Sequence, residues 1–291
     1  MHSQAFKKIL LILIAGILLI PVQAMSQEAA GDKLKLGIFP RRNPIITTRM
    51  FTPLVQYLTE KLGRQVILDT PKDFDSFYAK VKAGEYDIVH YNQYDYVKSH
   101  KEIGYQVIAK NIEFNESTIA GAIIVRKDSH INSVLDLKGK KVVFGGGQHA
   151  MQAYIVAKYL LLAGGLKQED FEESFSTNPP NAILSAFYKQ SDAAGAGDKV
   201  LQLQIVKNQI DINEMKYLVR GEQLAHLPWA VKGSMDKATA AKIKSLLLNL
   251  NTTDRGKAIL TKIHLDGFAD ATDADYDPHR KIINSVLHEQ Y

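Results

Sequence analysis

The sequence KLGIF at Lys35–Phe39 is a short β-prone run that Pro40 ends, and it predicts the first strand of an α/β unit. After it, apolar residues recur at helical spacing up to Gly63, and residues 65–68 have the composition of a second strand. A second helical stripe and a third strand, Asp87–His90, follow. This alternation of strands and helices predicts a parallel βαβαβ unit.

The same order of elements recurs later in the chain, over residues 141–196. Phe144 follows Phe39, and Asp192 follows Asp87, by the same 105 positions. Two units of matched length predict two α/β lobes of similar build. A chance match of this common element order is the alternative.

Two extended runs connect the units: residues 118–125 lead into the second unit, and residues 217–220 lead out of it. Further helices are predicted at residues 238–250, 254–263 and 279–289. We therefore predict a first lobe of residues 32–117 plus 221–291, interrupted by a second lobe of residues 118–220, with the crossing runs as a hinge. Because α/β sheets bind ligands beyond the carboxyl ends of their parallel strands, facing loops of the two lobes should line a cleft.

The N-terminal segment has the features of a secretory signal peptide, predicted as residues 1–24. Lys7 and Lys8 precede an apolar run, Ile9–Val22, and Val22-Gln23-Ala24 offers a cleavage site of small residues. The run is shorter than the roughly 20 residues that a membrane-spanning anchor needs. A lipoprotein needs a cysteine at its cleavage site, and this chain has none. We expect a protein that is free in the periplasm after cleavage at Ala24.

Composition and missing motifs exclude several classes of function. The 291 residues include no cysteine, which rules out disulfide scaffolds, thiolate metal sites and cysteine nucleophiles. The 36 basic residues exceed the 31 acidic ones too little to predict nucleic-acid binding. No G-x-S-x-G, H-E-x-x-H or Walker A sequence occurs, and the histidines show no metal spacing. We therefore expect no catalytic residue, no metal, no cofactor and no enzymatic activity.

Polar and glycine-rich loops follow the strands whose ends would line the cleft. The candidate ligand-binding residues are Arg41, Arg42, Thr47, Thr48, Tyr91, Asn92, Gln93 and Tyr94 on the first lobe, and Gly145, Gly146, Gly147, Gln148, His149 and Asp198 on the second. A guanidinium group suits phosphate or carboxylate, while tyrosines and amides form the walls and donors of small-ligand sites. The alternatives are solvated arginines and tyrosines that pack inward.

The run Gly145–Ala150 fits the pattern G-x-G-x-x-A between a strand and a helix. A dinucleotide site needs an acidic residue at the end of the second strand, whereas Glu169 precedes that strand. We favour a smaller ligand, because glycine amides with a helix N-terminus behind them form an anion-binding nest. A tight turn without a ligand is the other alternative.

Six segments together resemble a known protein family. They are Leu36–Pro40, Phe51–Leu58, Gly84–Val89, Ile124–Ser129, Leu135–Lys140 and Asp273–Pro278. These segments are similar to those of the phosphate/phosphite/phosphonate-type periplasmic substrate-binding proteins of ABC transporters. The resemblance implies the type II periplasmic binding protein fold, an α/β fold of two lobes joined by two crossing strands. Each lobe would be a mainly parallel sheet flanked by helices.

The resemblance also implies what the protein does. Such proteins close over a small anion and deliver it to an inner-membrane permease. By the resemblance, the ligand loops fall on Pro40–Thr48, Tyr91–Tyr94, Gly145–His149, Asn178–Asn181 and the neighbourhood of Asp198, which adds Asn181 to the candidate residues. Their oxyanion loop is rich in Ser and Thr, whereas here it reads GGGQHA at residues 145–150. We expect a monomeric solute-binding protein for phosphate, phosphite or phosphonate. The alternative is a periplasmic sensor or shuttle of the same fold with a different, larger or less charged ligand.

Overall fold

A computed structural model describes residues 33–291, so the predicted signal peptide, residues 1–24, lies outside the described residues. The helices are α1 (Pro44–Leu62), α2 (Phe74–Lys82), α3 (Gln93–Ile103), α4 (Ala157–Ala163), α5 (Pro179–Phe187), α6 (Gln204–Lys207), α7 (Lys237–Leu248), α8 (Asp254–Ile263) and α9 (Asp277–Leu287). The strands are β1 (Leu34–Ile38), β2 (Val66–Asp69), β3 (Ile88–His90), β4 (Gln106–Ile112), β5 (Thr118–Ile119), β6 (Gly121–Arg126), β7 (Lys141–Gly145), β8 (Glu172–Ser176), β9 (Ala193–Gly197), β10 (Met215–Arg220), β11 (Leu224–Ala225), β12 (Pro228–Val231) and β13 (Gly267–Asp270). Across this range, no helix combines the length and the apolar character needed to cross a membrane.

The first sheet has six strands in the order β13-β4-β12-β3-β1-β2. β1 pairs in parallel with β2 and β3, which forms the βαβαβ unit predicted from Lys35 to His90. β12 enters antiparallel between β3 and β4, and β13 pairs antiparallel with β4. The parallel strands are those joined by helical crossovers, while strands that return from later in the chain run the other way.

The second sheet has five strands in the order β10-β6-β9-β7-β8. β7 pairs in parallel with β8 and β9, whereas β6 pairs antiparallel with β9 and with β10. The predicted architecture of two α/β sheets flanked by helices is therefore present. Both sheets are mixed, because β12 and β13 in the first sheet and β6 in the second run antiparallel to their neighbours.

The same aspartate contact occurs in both βαβαβ units. In the first sheet the N–H of Lys35 donates to the Asp87 carboxylate at 2.7 Å, and the N–H of Asp87 donates to the Lys35 carbonyl at 2.9 Å. In the second sheet Lys141 and Asp192 exchange the same two hydrogen bonds, both at 2.9 Å. Each aspartate thus holds the start of the third strand of its unit against the first strand in one register.

Two short strands connect the two sheets. β5 pairs antiparallel with β11; β5 leads into β6, and β11 leads into β12. α9 packs against α3 and also against α4 and the π-helix Met151–Val156 that precedes it. The chain therefore crosses between the sheets twice, and the division into lobes at residues 118 and 220 stays a prediction.

Candidate functional site

The glycine run that ends β7 contains three residues with different surroundings. A Cβ atom on Gly145 would collide with the backbone of Pro179 at the start of α5, so the close approach of this helix requires glycine. Gly146 has a φ of +103°, which disfavours any side chain. A Cβ atom on Gly147 would meet no atom of the described residues within 4 Å. Gly147 is therefore the member of the run that borders open space.

The backbone N–H groups of the loop also differ in whether they have a hydrogen-bond acceptor within the protein. The N–H of Gly146 donates to the Ser176 carbonyl at 2.9 Å. Among residues 33–291, the N–H groups of Gly147, Gln148 and His149 donate no hydrogen bond. The amides available to a ligand therefore lie at residues 147–149, at the C-terminal end of the predicted nest, directly before the π-helix.

His149 brings this loop into contact with α2 and α3, which flank the first sheet. Its ring centroid lies 4.9 Å from that of Tyr94 and 6.4 Å from that of Tyr78, and its Nδ1 lies 4.0 Å from Asp95 Oδ1. Burial, and then the positive charge of Lys98, lowers the pKa of His149. The imidazole is therefore neutral at neutral pH and offers one donor and one acceptor.

Asp95 lies in the first turn of α3, where its side chain is only 2% exposed. Its Oδ2 accepts a hydrogen bond from Asn92 Nδ2 at 2.7 Å, and its N–H donates to Asn92 Oδ1 at 2.9 Å. Burial raises the pKa of Asp95 to about 7, although the charge of Lys98 and the Asn92 hydrogen bond act to lower it. Asp95 is absent from the residues predicted by sequence. The Asn92-x-x-Asp95 spacing, typical of a helix N-cap, is the signal that could have found it.

The other predicted residues that follow β3 are also buried. The Tyr91 hydroxyl lies 2.9 Å from Ser99 Oγ, inside the protein. Gln93 Nε2 donates to the Ala225 carbonyl at 3.1 Å, which links α3 to β11. Of Tyr91, Gln93 and Tyr94, it is Tyr94 whose ring contacts the glycine loop.

Arg41 and Arg42 follow the carboxyl end of β1 in the first sheet. Arg41 Nη1 donates to Glu113 Oε1 at 3.1 Å, and Asn111 Nδ2 donates to the same oxygen at 2.9 Å. Burial acts to raise the pKa of Glu113, but the charges of Arg41 and His226 lower it to about 2, so the carboxylate is ionised. Arg42 is exposed and borders a cavity of about 20 Å³, which has room for one water molecule. The positive charge of Arg41 is thus already balanced by the Glu113 carboxylate.

Thr47, Thr48 and Asn181 lie in the first turns of helices. The buried Thr47 hydroxyl donates to the Asn43 carbonyl at 3.2 Å, while Thr48 is exposed. Asn181 is exposed, and its N–H donates to Asn178 Oδ1 at 3.0 Å. The hydroxyl of Thr47 therefore serves the start of α1.

Asp198 holds the segments that cross between the sheets. Its Oδ1 accepts the N–H of Ala120 at 3.2 Å, and its Oδ2 accepts Gln223 Nε2 at 2.8 Å. Both partners lie beside the β5–β11 pair. The carboxylate is thus satisfied by the crossing segments themselves.

The structure therefore brings together the loop at residues 147–149, Tyr94 and Asp95. The loop supplies unpaired N–H donors and an imidazole, and α3 supplies one carboxyl group, a set that can hold a small oxyanion by hydrogen bonds. Arg41 and Asp198 belong instead to ion-pair and hydrogen-bond networks near the crossing segments. No cluster of three metal-ligating side chains occurs in the part of the chain that the structure describes.

Comparisons with known proteins show the family. The family model for the periplasmic phosphonate substrate-binding proteins of ABC transporters matches residues 36–276. The phosphonates-binding periplasmic protein of Escherichia coli (strain K12) is 24% identical over 270 residues, which cover 91% of this chain and 79% of that protein.

Solved structures show the same fold. PhnD1 from Prochlorococcus marinus (MIT 9301), in complex with methylphosphonate, has a TM-score of 0.77 at 18% identity, over 88% of this chain and 99% of that one. A Xanthomonas citri protein bound to ATP has a TM-score of 0.75 at 14% identity, over 88% and 97% of the two chains. Because the family model matches most of this chain, residues 36–276, the chain belongs to the periplasmic phosphonate substrate-binding proteins of ABC transporters.

Proposed function

We propose that the chain is the solute-binding component of an ABC import system and captures a small oxyanion (phosphate, phosphite or a phosphonate) between its two sheets. The observation that carries this proposal is the set of unpaired N–H groups at residues 147–149, next to Tyr94 and Asp95. Hydrogen-bond donors that lack acceptors within the protein suit an anionic ligand. The proposed partner is the inner-membrane permease that receives the anion.

Capture by hinge closure is the second part of the proposal. The β5–β11 pair carries the chain between the sheets, and small backbone rotations in two such segments can move one sheet against the other. The glycine loop ends a strand of the second sheet, while α3 follows a strand of the first. Rotation about the hinge therefore changes the distance between the glycine loop and α3, and closure encloses a ligand bound at the loop.

Export and assembly form the third part of the proposal. The basic residues, apolar run and small residues of positions 1–24 support cleavage after Ala24, and the lack of cysteine supports a mature protein without a lipid anchor. The protein then acts in the periplasm as a monomer that binds no nucleic acid and catalyses no reaction.

Calorimetric titration with methylphosphonate, phosphite and phosphate tests the function. We expect saturable binding of at least one of them. With that ligand at 100 times its Kd, mass action should add about 2.7 kcal/mol to the free energy of unfolding and raise the Tm. X-ray scattering should show a smaller radius of gyration at saturation.

Native mass spectrometry of gently purified protein is the control for ligand carried through purification. A larger retained molecule, with no binding of the three oxyanions after its removal, would contradict the proposal and favour the sensor or shuttle alternative. An unchanged radius of gyration with a tightly bound oxyanion would contradict hinge closure alone.

A further inference from the structure

Asp95 Oδ1 is a buried oxygen without a hydrogen-bond partner among residues 33–291. The other carboxylate oxygen, Oδ2, accepts a hydrogen bond from Asn92 Nδ2. A buried polar group that lacks a partner costs about 1–3 kcal/mol, and a charged one costs more. Oδ1 therefore needs either a donor from outside the chain or a proton of its own.

The surroundings of Oδ1 point to the ligand as that donor. His149 Nδ1 lies 4.0 Å from Oδ1, beyond hydrogen-bond distance, and His149 belongs to the loop with the unpaired N–H groups. A small anion held by those N–H groups would lie next to the carboxyl group of Asp95. Two negatively charged oxygens in direct contact strongly disfavour each other's ionisation, so a proton between them is favoured.

We propose that Asp95 contacts the bound ligand and that binding takes up one proton, shared between Asp95 Oδ1 and an oxygen of the oxyanion. This inference rests on the proposed function. At alkaline pH, where the carboxyl group and the anion are both ionised, the buffer acid gives up this proton and is left as its conjugate base, and the proton then forms one O–H···O hydrogen bond between the two oxygens. Asp95 thereby selects an oxyanion for its protonation state.

The other titratable groups near this contact do not account for the proton that binding takes up, which leaves the carboxyl group of Asp95 as its site. The groups that act on Asp95 or His149 are Lys98 on α3, Tyr78 and Asp75 on α2, Tyr91 at the end of β3, and Glu289 after α9. The pKa of Tyr78 and that of Tyr91 are raised, chiefly by burial, so both phenols stay protonated. The pKa of Asp95, raised to about 7 by burial, lies where phosphate-type anions exchange their second proton, at pH about 6–7.

Calorimetry of methylphosphonate binding at pH 8.5, in two buffers of different ionisation enthalpy, measures the proton uptake directly. We expect the parent protein to take up about one proton, and its affinity to fall about tenfold per pH unit at alkaline pH. Asp95→Asn removes the titrating group and keeps an oxygen that can accept from Asn92. This variant should bind with almost no proton uptake.

Two further variants identify the group responsible. Asp75→Asn removes an exposed carboxylate on α2 and should leave the uptake at about one proton, while His149→Gln should weaken binding but keep the uptake. Zero uptake in the parent protein, undiminished uptake in Asp95→Asn, or loss of uptake in His149→Gln would each overturn the inference while the proposed function stands. Failure of the parent protein to bind any oxyanion would overturn both.

Discussion

We expect Trp229→Ala to lower the free energy of unfolding by about 3–5 kcal/mol, the usual cost of emptying a buried aromatic site. Trp229 is fully buried in β12, its ring stacks on His90 at 4.5 Å, and it lies edge-on to Phe268 at 5.4 Å. Its Nε1 donates to Asn111 Oδ1 at 2.8 Å, and the substitution leaves this acceptor unpaired. A loss of this size is a large part of the 5–15 kcal/mol by which domains are typically stable.

Urea denaturation followed by circular dichroism measures this loss. Fluorescence cannot serve for the variant, because Trp229 is the single tryptophan of the sequence. The matched control is Tyr188→Ala, which removes an aromatic ring that is 58% exposed and should change stability by no more than about 0.5 kcal/mol. A loss below about 1 kcal/mol for Trp229→Ala would show that β12 does not anchor the first sheet.

The second large effect concerns the ligand. Gly147→Val should weaken methylphosphonate binding at least tenfold, or about 1.4 kcal/mol, because its side chain occupies the open space beside the unpaired N–H groups. Gly147→Ala should weaken it less. Neither substitution should lower the Tm, since a Cβ atom at residue 147 meets no described atom within 4 Å. Calorimetry and thermal denaturation of both variants measure these effects.

Two other glycines provide the comparison. Gly267→Ala, where the nearest atom to a Cβ is Ile112 Cδ1 at 3.5 Å, should change neither affinity nor Tm. Gly145→Ala should lower the free energy of unfolding by about 1–3 kcal/mol, because its Cβ collides with Pro179. If Gly147→Val binds methylphosphonate as tightly as the parent protein, the glycine loop is only a turn and the proposed site is misplaced.

The two βαβαβ units could be predicted because their signals are local. The strand at 35–39 and the strand at 141–144 are short apolar runs that end at proline or glycine, and the helices between strands carry regular apolar stripes. Asp87 and Asp192 each stand directly before the third strand of their unit. The strand runs and the apolar stripes of the helices depend on residues that are close together in the sequence.

Elements without such a pattern were missed. α3, residues 93–103, reads QYDYVKSHKEI and has no apolar stripe, yet most of its first turns are buried. β12 is only four residues long and begins with Pro228, which argues against a central strand. It nevertheless lies between β3 and β4, because the chain returns there from the second sheet. Burial of these segments is decided by elements far away in the chain.

Local sequence patterns specify the two α/β units, the polar loops at their strand ends, and a run of three glycines without side chains to cover its amides. The folded arrangement of distant segments sets which of those groups remain available to a ligand. It pairs Arg41 with Glu113, 72 positions away, leaves the N–H groups at residues 147–149 unpaired, and buries Asp95 beside His149. Local patterns do not carry this information, because hydrogen-bond partners and desolvation come from segments that are distant in the chain and adjacent only after folding.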